Sequence, residues 1–213
     1  SGDCDLVKKD LQDIILSVKR PVKVIIEVSL LSANEIKSAC DIVMQSGAAY
    51  VKTHTGTTGS VKKEDVENIR DIVRTNISVK ASGGIKTFED AMKMFDSGSD
   101  LIGTSNSLNI IKGAIPITYL SGAIYGVPKD DASGWRKDVV KKIDGKAWCI
   151  DPLRKPYEVL EEKYQEYWKD IVETDKRDID ISDFLIIKWD KPSIGTDQEM
   201  IYAWERGRPV YVC

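Results

Sequence analysis

Val79-Lys80-Ala81-Ser82-Gly83-Gly84-Ile85 is an apolar run broken by one lysine and closed by two glycines. Its opening repeats Val22-Lys23-Val24 and Val51-Lys52-Thr53, at spacings of 29 and 28 residues. Each copy sits in a strand-like stretch (22–28, 49–53, 77–81) and is followed by residues with helical apolar spacing. Ser32-x-x-Glu35 reads as a capping box opening a helix over 33–46. Val66, Ile69, Ile72 and Val73 mark a helix over 62–74, and Thr87 caps another over 88–96. A leading helix over 4–18 and a fourth strand at Leu101-Ile102-Gly103-Thr104 complete the series. Strands alternating with helices argue for a parallel sheet with right-handed crossovers. Four βα units fall short of a closed eight-stranded barrel, which takes about 250 residues. The first half therefore reads as a partial (β/α) barrel or a small open sheet.

Composition changes near residue 113. Tyr50, Phe88 and Phe95 are the only aromatics before it, while all five Trp follow it, as do six of the seven prolines. This shift predicts two domains, 1–112 and 113–213. The second reads as strand 117–120, a helix near 132–143, strand 147–150, a helix over 158–172, strand 184–189, a helix over 197–206 and a last strand over 209–212. A Rossmann-like three-layer α/β domain is the natural arrangement.

The 213 residues carry a formal charge of −3, which leaves no electrostatic footprint for nucleic acid or an anionic membrane. No apolar run approaches the roughly 20 residues needed to span a bilayer. The polar start Ser1-Gly2-Asp3-Cys4-Asp5 does not read as a signal peptide. A cytoplasmic protein is expected. The four cysteines form no CxxC pair and His54 is the only histidine, so no metal site or cofactor is expected.

Lysine is almost never fully buried without a partner, so Lys52 and Lys80 at equivalent points of adjacent repeats stand out. Neighbouring strands lie about 4.8 Å apart, close enough for each ammonium to feel the other. A like charge and partial desolvation favour the neutral amine, and a neutral amine can form a Schiff base with a carbonyl. The same pattern also fits two solvated lysines at strand ends.

The segments Val22-Lys23-Val24-Ile25-Ile26-Glu27, 47–56 (Gly-Ala-Ala-Tyr-Val-Lys-Thr-His-Thr-Gly), 79–85 and Ile102-Gly103-Thr104-Ser105 resemble deoxyribose-phosphate aldolase. The resemblance runs in order over about 1–112. It implies that Lys52 forms the Schiff base with a sugar aldehyde and that Lys80 tunes it. It also implies that Gly83, Gly84, Gly103 and Ser105 belong to phosphate-binding loops. The family's full barrel has four further strands, one of them carrying an acidic proton-relay residue, and Asn106 stands where a second serine is usual. A homo-oligomer, or a partner chain that completes the barrel, is therefore expected.

In the second half, Pro192-Ser193-Ile194-Gly195-Thr196-Asp197-Gln198-Glu199 follows an apolar strand and opens a helix. Free N–H groups at such a start attract anions and keep a first-turn carboxylate ionised. An ionised, positioned carboxylate can attack an anomeric carbon. Thr196-x-x-Glu199 is equally a plain capping box. The acidic run Asp175, Asp178, Asp180 and Asp183 reads as a solvated face rather than a metal loop.

Tyr119-Leu120-Ser121-Gly122-Ala123-Ile124-Tyr125-Gly126, Trp135-Arg136, Asp175-Lys176-Arg177-Asp178-Ile179 and Gly195-Thr196-x-x-Glu199 resemble the nucleoside 2-deoxyribosyltransferase superfamily. The resemblance implies that Glu199 is the nucleophile, that Asp175 protonates or holds the base, and that Tyr119 and Gly122 line the site. Ser193 stands where transferases of free nucleosides carry aspartate and related 5′-phosphate N-hydrolases carry serine. Ser193, Gly195 and Thr196 are thus expected to hold a 5′-phosphate. Together the halves imply an enzyme of deoxynucleotide salvage or breakdown, acting on a deoxynucleotide or deoxyribose 5-phosphate. The rival expectation is an inactive nucleotide-binding or assembly module on a relic aldolase scaffold.

Overall fold

The computed structural model of the protein describes residues 3–154 and 164–213. It divides into two compact units, one ending at Ala114 and the other starting at Ile115. Both are α/β with parallel sheets.

In the first unit, α1 (Cys4–Ser17) precedes β1 (Lys23–Ile25), α2 (Ala33–Ser46), β2 (Tyr50–Lys52), α3 (Lys63–Val73), β3 (Ser78–Ser82), α4 (Phe88–Asp96), β4 (Leu101–Gly103) and a short α5 (Ser107–Lys112). The helix starts are set locally. Ser32 and Glu35 form the capping box of α2, and Thr87 and Asp90 form that of α4. Asp65 reaches back to the Lys62 N–H at the start of α3.

The strands pair in the order β1-β2-β3-β4, all parallel, with Val24 opposite Val51 and Val51 opposite Val79. Successive residues of a strand point to opposite faces. Val51, Val79 and Ala81 therefore share one face, where they pack against Ile36, Cys40 and Val43 of α2 and Val66, Ile69 and Val73 of α3. The alternate residues lie on the other face, where Ile25 is 40% and Leu101 37% exposed. Among the described residues of this unit, helices thus cover the sheet on one side only.

The second unit contains β5 (Ile117–Gly122), α6 (Lys129–Ile143), β6 (Trp148–Ile150), a 3-10 turn at Pro152–Arg154, α7 (Tyr164–Ile181), β7 (Phe184–Lys188), α8 (Ile194–Glu205) and β8 (Val210–Val212). Its sheet has the order β6-β5-β7-β8, again parallel throughout. The chain goes to one side of β5 through α6 and returns to the other through α7, so the order reverses at β5. Tyr119, Ile150, Leu185 and Ile187 pack with Ile179 of α7 and Ala203 of α8 in its core.

Several boundaries differ from the sequence reading, and the structure gives the reason for three of them. The strand expected over 22–28 stops at Ile25, because Glu27 turns left-handed (φ 51°) and its carboxylate accepts the Thr55 N–H at 2.6 Å. The helix expected over 158–172 instead runs on to Ile181, through the acidic run, because Asp178 and Ile179 turn inward; residues 158–163 lie outside the described ones. The helix expected over 197–206 starts at Ile194, because the Ser193 hydroxyl accepts the Thr196 N–H. Thr196 itself is buried and does not cap.

The core of the first unit carries a direct expectation. Ile69 is fully buried, so Ile69→Ala lowers the stability of the protein by about 2–5 kcal/mol in urea unfolding.

Candidate functional site

Lys52 of β2 and Lys80 of β3 are direct register partners. Partners in a parallel ladder face the same way, so both side chains stand on the side of the sheet that helices leave uncovered. Both residues are half-buried. Among the described residues neither ammonium takes part in a hydrogen bond or ion pair. The Lys80 stem crosses β4 at Gly103: a Cβ there would sit 2.9 Å from Lys80 Cε and 2.9 Å from Ser82 Cβ. A larger residue at 103 would push the lysine away.

The carboxyl ends of these strands are tied together by side chains. The Thr53 hydroxyl donates to the Ser82 carbonyl at 2.9 Å and accepts the Ser82 N–H at 3.0 Å. The Ser82 hydroxyl donates to the His54 carbonyl at 2.6 Å. Gly83 and Gly84 follow with left-handed backbone, Gly83 buried and Gly84 exposed. The Thr104 hydroxyl donates to the Ile85 carbonyl, which links the turn after β3 to that after β4, where Ser105 is exposed. His54 is fully buried, and among the described residues its two ring nitrogens have no hydrogen-bond partner.

The second unit has its own cluster. Tyr119 and Ser121, two apart on β5, point to the same face of the sheet. The Tyr119 hydroxyl donates to Glu199 Oε1 at 2.8 Å and the Ser121 hydroxyl donates to Oε2. Both donors are fully buried. Glu199 lies beyond the first turn of α8, since that helix starts at Ile194. The expectation that the helix start keeps it ionised is therefore corrected. Burial pushes its carboxyl above the ordinary glutamate range, and the Asp178 charge adds to this. The Ser121 and Tyr119 hydroxyls and the Arg136 guanidinium pull the other way.

Sequence reasoning passed over Ser121, Arg136 and Asp178 as members of this cluster. Asp178 is 1% exposed and pairs with Arg154 at 2.6 Å. Asp175 stands one turn earlier on α7 and is half-buried. The rest of the acidic run is engaged structurally: Asp180 accepts from the Tyr202 hydroxyl and Asp183 from the Ile117 N–H. Among the described residues no group of three His, Cys, Asp or Glu side chains is placed to hold a metal ion. No helix among them is long and apolar enough to cross a membrane. Ser193 and Gly195 flank the start of α8, with Ser193 half-buried and Gly195 exposed, and Thr196 faces inward. Gly122 ends β5 where a Cβ would meet Trp135 at 2.8 Å. Burial pushes the thiols of Cys40 and Cys149 up to about 11, which leaves them poor nucleophiles.

No family model matches the chain. Its relatives are enzymes of the aldolase class. It is 42% identical over 118 residues to deoxyribose-phosphate aldolase of Natronomonas pharaonis, covering 55% of this chain and 53% of that protein. To deoxyribose-phosphate aldolase of Finegoldia magna it is 46% identical over 113 residues, covering 52% and 53%. A solved structure of an aldolase is 38% identical and covers 51% of this chain and 50% of that one, with a TM-score of 0.50. The matched lengths equal that of the first unit to within a few residues, and the chain spans about half the length of the curated relatives it matches.

The raised Glu199 carboxyl has a consequence for stability. Its proton is held more tightly in the folded chain than in the unfolded one. Stability therefore falls as pH rises from the ordinary glutamate value through the raised one. At pH 7 Glu199→Gln should increase stability, by about 0.5–2 kcal/mol in chemical denaturation, and flatten that pH dependence.

Proposed function

We propose that the first unit, about residues 1–112, is an aldolase half-barrel that works on 2-deoxyribose 5-phosphate through a Schiff base at Lys52. The observation that carries this is the in-register pair Lys52 and Lys80 on the uncovered sheet face, in a chain whose relatives are named deoxyribose-phosphate aldolase. The Lys52 amine adds to the sugar aldehyde and water leaves. The resulting iminium draws electrons from the C2–C3 bond as the C3 hydroxyl gives up its proton, and glyceraldehyde 3-phosphate leaves. The enamine left on Lys52 takes up a proton, and water hydrolyses the imine to free acetaldehyde and the lysine. Lys80 lies beside it as the second cation. Gly83, Gly84, Gly103 and Ser105 supply a turn for the phosphate, whose charge suits backbone N–H groups. A second copy or another chain completes the barrel wall. No cofactor, nucleic acid or membrane enters this reading.

Incubation with 2-deoxyribose 5-phosphate and borohydride should add the reduced sugar to the peptide that holds Lys52. Lys52→Arg should take up none, and Lys80→Ala should slow the labelling. Absence of an adduct in the parent protein rejects the proposal and leaves a binding or assembly module as the reading of this unit.

A second reading concerns residues 113–213, and the two hydroxyls donating to Glu199 favour it. We infer a Rossmann-like domain that cleaves the N-glycosidic bond of a 2′-deoxynucleoside 5′-phosphate. Glu199 attacks C1′, and water or an acceptor base then takes the sugar. Tyr119 and Gly122 line the sugar site, and Ser193, Gly195 and Thr196 hold the phosphate. Asp178, or Asp175 one turn away on the same helix, serves the leaving base. The sugar phosphate released by hydrolysis is the aldolase substrate.

Base release from deoxynucleoside monophosphates should exceed that from the matching nucleosides and vanish in Glu199→Gln. Because burial raises the Glu199 carboxyl, the rate should climb through an acid limb above the ordinary glutamate range. A flat profile or a preference for nucleosides counts against this reading.

A further inference from the structure

Arg136 is fully buried on α6, and nothing in the two proposed reactions uses it. A buried guanidinium is costly unless its donors and charge are satisfied. Here they are satisfied at a particular place. Nη2 donates to the Gly122 carbonyl at 2.8 Å and Nε to the Leu120 carbonyl at 3.4 Å, while Nη1 donates to the Ala132 carbonyl. Nε also lies 3.5 Å from Asp151 Oδ1, and the guanidinium carbon lies 4.5 Å over the Trp135 ring.

The two strand carbonyls flank Ser121. β6 pairs with β5 only as far as Tyr119, whereas β7 continues alongside to Gly122. The guanidinium thus takes over where β6 stops. It also lies on the opposite side of β5 from Glu199. A Cβ at Gly122 would point at Trp135 and Arg136 Nη2, while Ser121, the preceding residue, points to Glu199.

We propose that Arg136 is a positioning residue for Glu199: through the carbonyls on either side of Ser121 it holds the end of β5 so that Ser121 and Tyr119 stay aimed at the carboxyl, and its positive charge favours the carboxylate. This rests on the second reading above. Among the described residues, three elements bring hydroxyl or charged groups that act on Glu199. β5 contributes Tyr119 and Ser121, α6 contributes Arg136, and α7 contributes Asp178. Asp178 is paired with Arg154, and Arg136 with Asp151. Arg136 is the group among them that favours the carboxylate by charge.

The test is the titration of the Glu199 side-chain carboxyl by 13C NMR on full-length, Glu-labelled protein, with the signal assigned by its loss in Glu199→Gln. Arg136→Met should raise the midpoint by about one pH unit or more. Arg136→Lys, which keeps the charge but not the fork, should stay within about 0.3 unit of the parent while the Glu199 signal broadens or shifts as its donors loosen. An Arg136→Met protein with native circular dichroism and an unmoved midpoint overturns the proposal. If the Met variant does not fold, Arg136→Lys decides. A midpoint near the parent's with a displaced signal supports the proposal, and an unchanged signal or a midpoint moved by a unit overturns it. Loss of base release in Glu199→Gln tests the underlying reading separately, so the two can fail independently.

Discussion

Parallel pairing is the constraint on which the rest depends. In a parallel ladder, register partners face the same side and carry their side chains to the same height. That rule turns the spacing of two lysines in sequence into a pair on adjacent strands. It also sends Val51 and Val79, one residue earlier, to the opposite side and into the helix-covered core. The same rule in the second unit places Tyr119 and Ser121 together on one face of β5. It leaves Leu120 and Gly122 to the other.

The two units apply this constraint under different electrostatic conditions. The lysine pair stands on a sheet face that helices leave uncovered, with apolar neighbours Ile25 and Leu101 partly in water. The glutamate is enclosed by donors and buried charges, and its ionisation is a balance between desolvation and the groups around it. A buried carboxylate that ionises in the folded chain weakens the fold. Asp178, itself paired with Arg154, and Arg136, itself paired with Asp151, act on it by charge, so the state of Glu199 depends on residues from three other elements.

Much of this arrangement was legible beforehand. The repeat of Val-Lys in strand-like stretches pointed to Lys52 and Lys80, and local capping patterns located α2 and α4. Glu199 stood out at a strand-turn-helix junction. What went unread were Ser121, Arg136 and Asp178. Ser121 stood inside a quoted motif, between Tyr119 and Gly122, without a role of its own. Arg136 was quoted beside Trp135 without a role, because nothing local shows that a charge in a helix rich in lysine and aspartate turns inward. Asp178 was one of four acidic residues read together as a solvated face, and it alone of the four is fully buried. The start of α8 was misplaced for a related reason: two hydroxyl residues, Ser193 and Thr196, compete for the cap, and burial of Thr196 settles it in favour of Ser193.

The sequence by itself determined the α/β class with parallel sheets, the alternation of strands and helices, and which residues repeat at equivalent strand positions. These rest on interactions between residues a few places apart, and periodicity records such interactions directly. Only the tertiary structure decided what surrounds Glu199, because its donors lie 80 and 78 residues away, and the side of β5 to which Arg136 turns. Burial and charge depend on distances through space, and no local pattern in the chain encodes them.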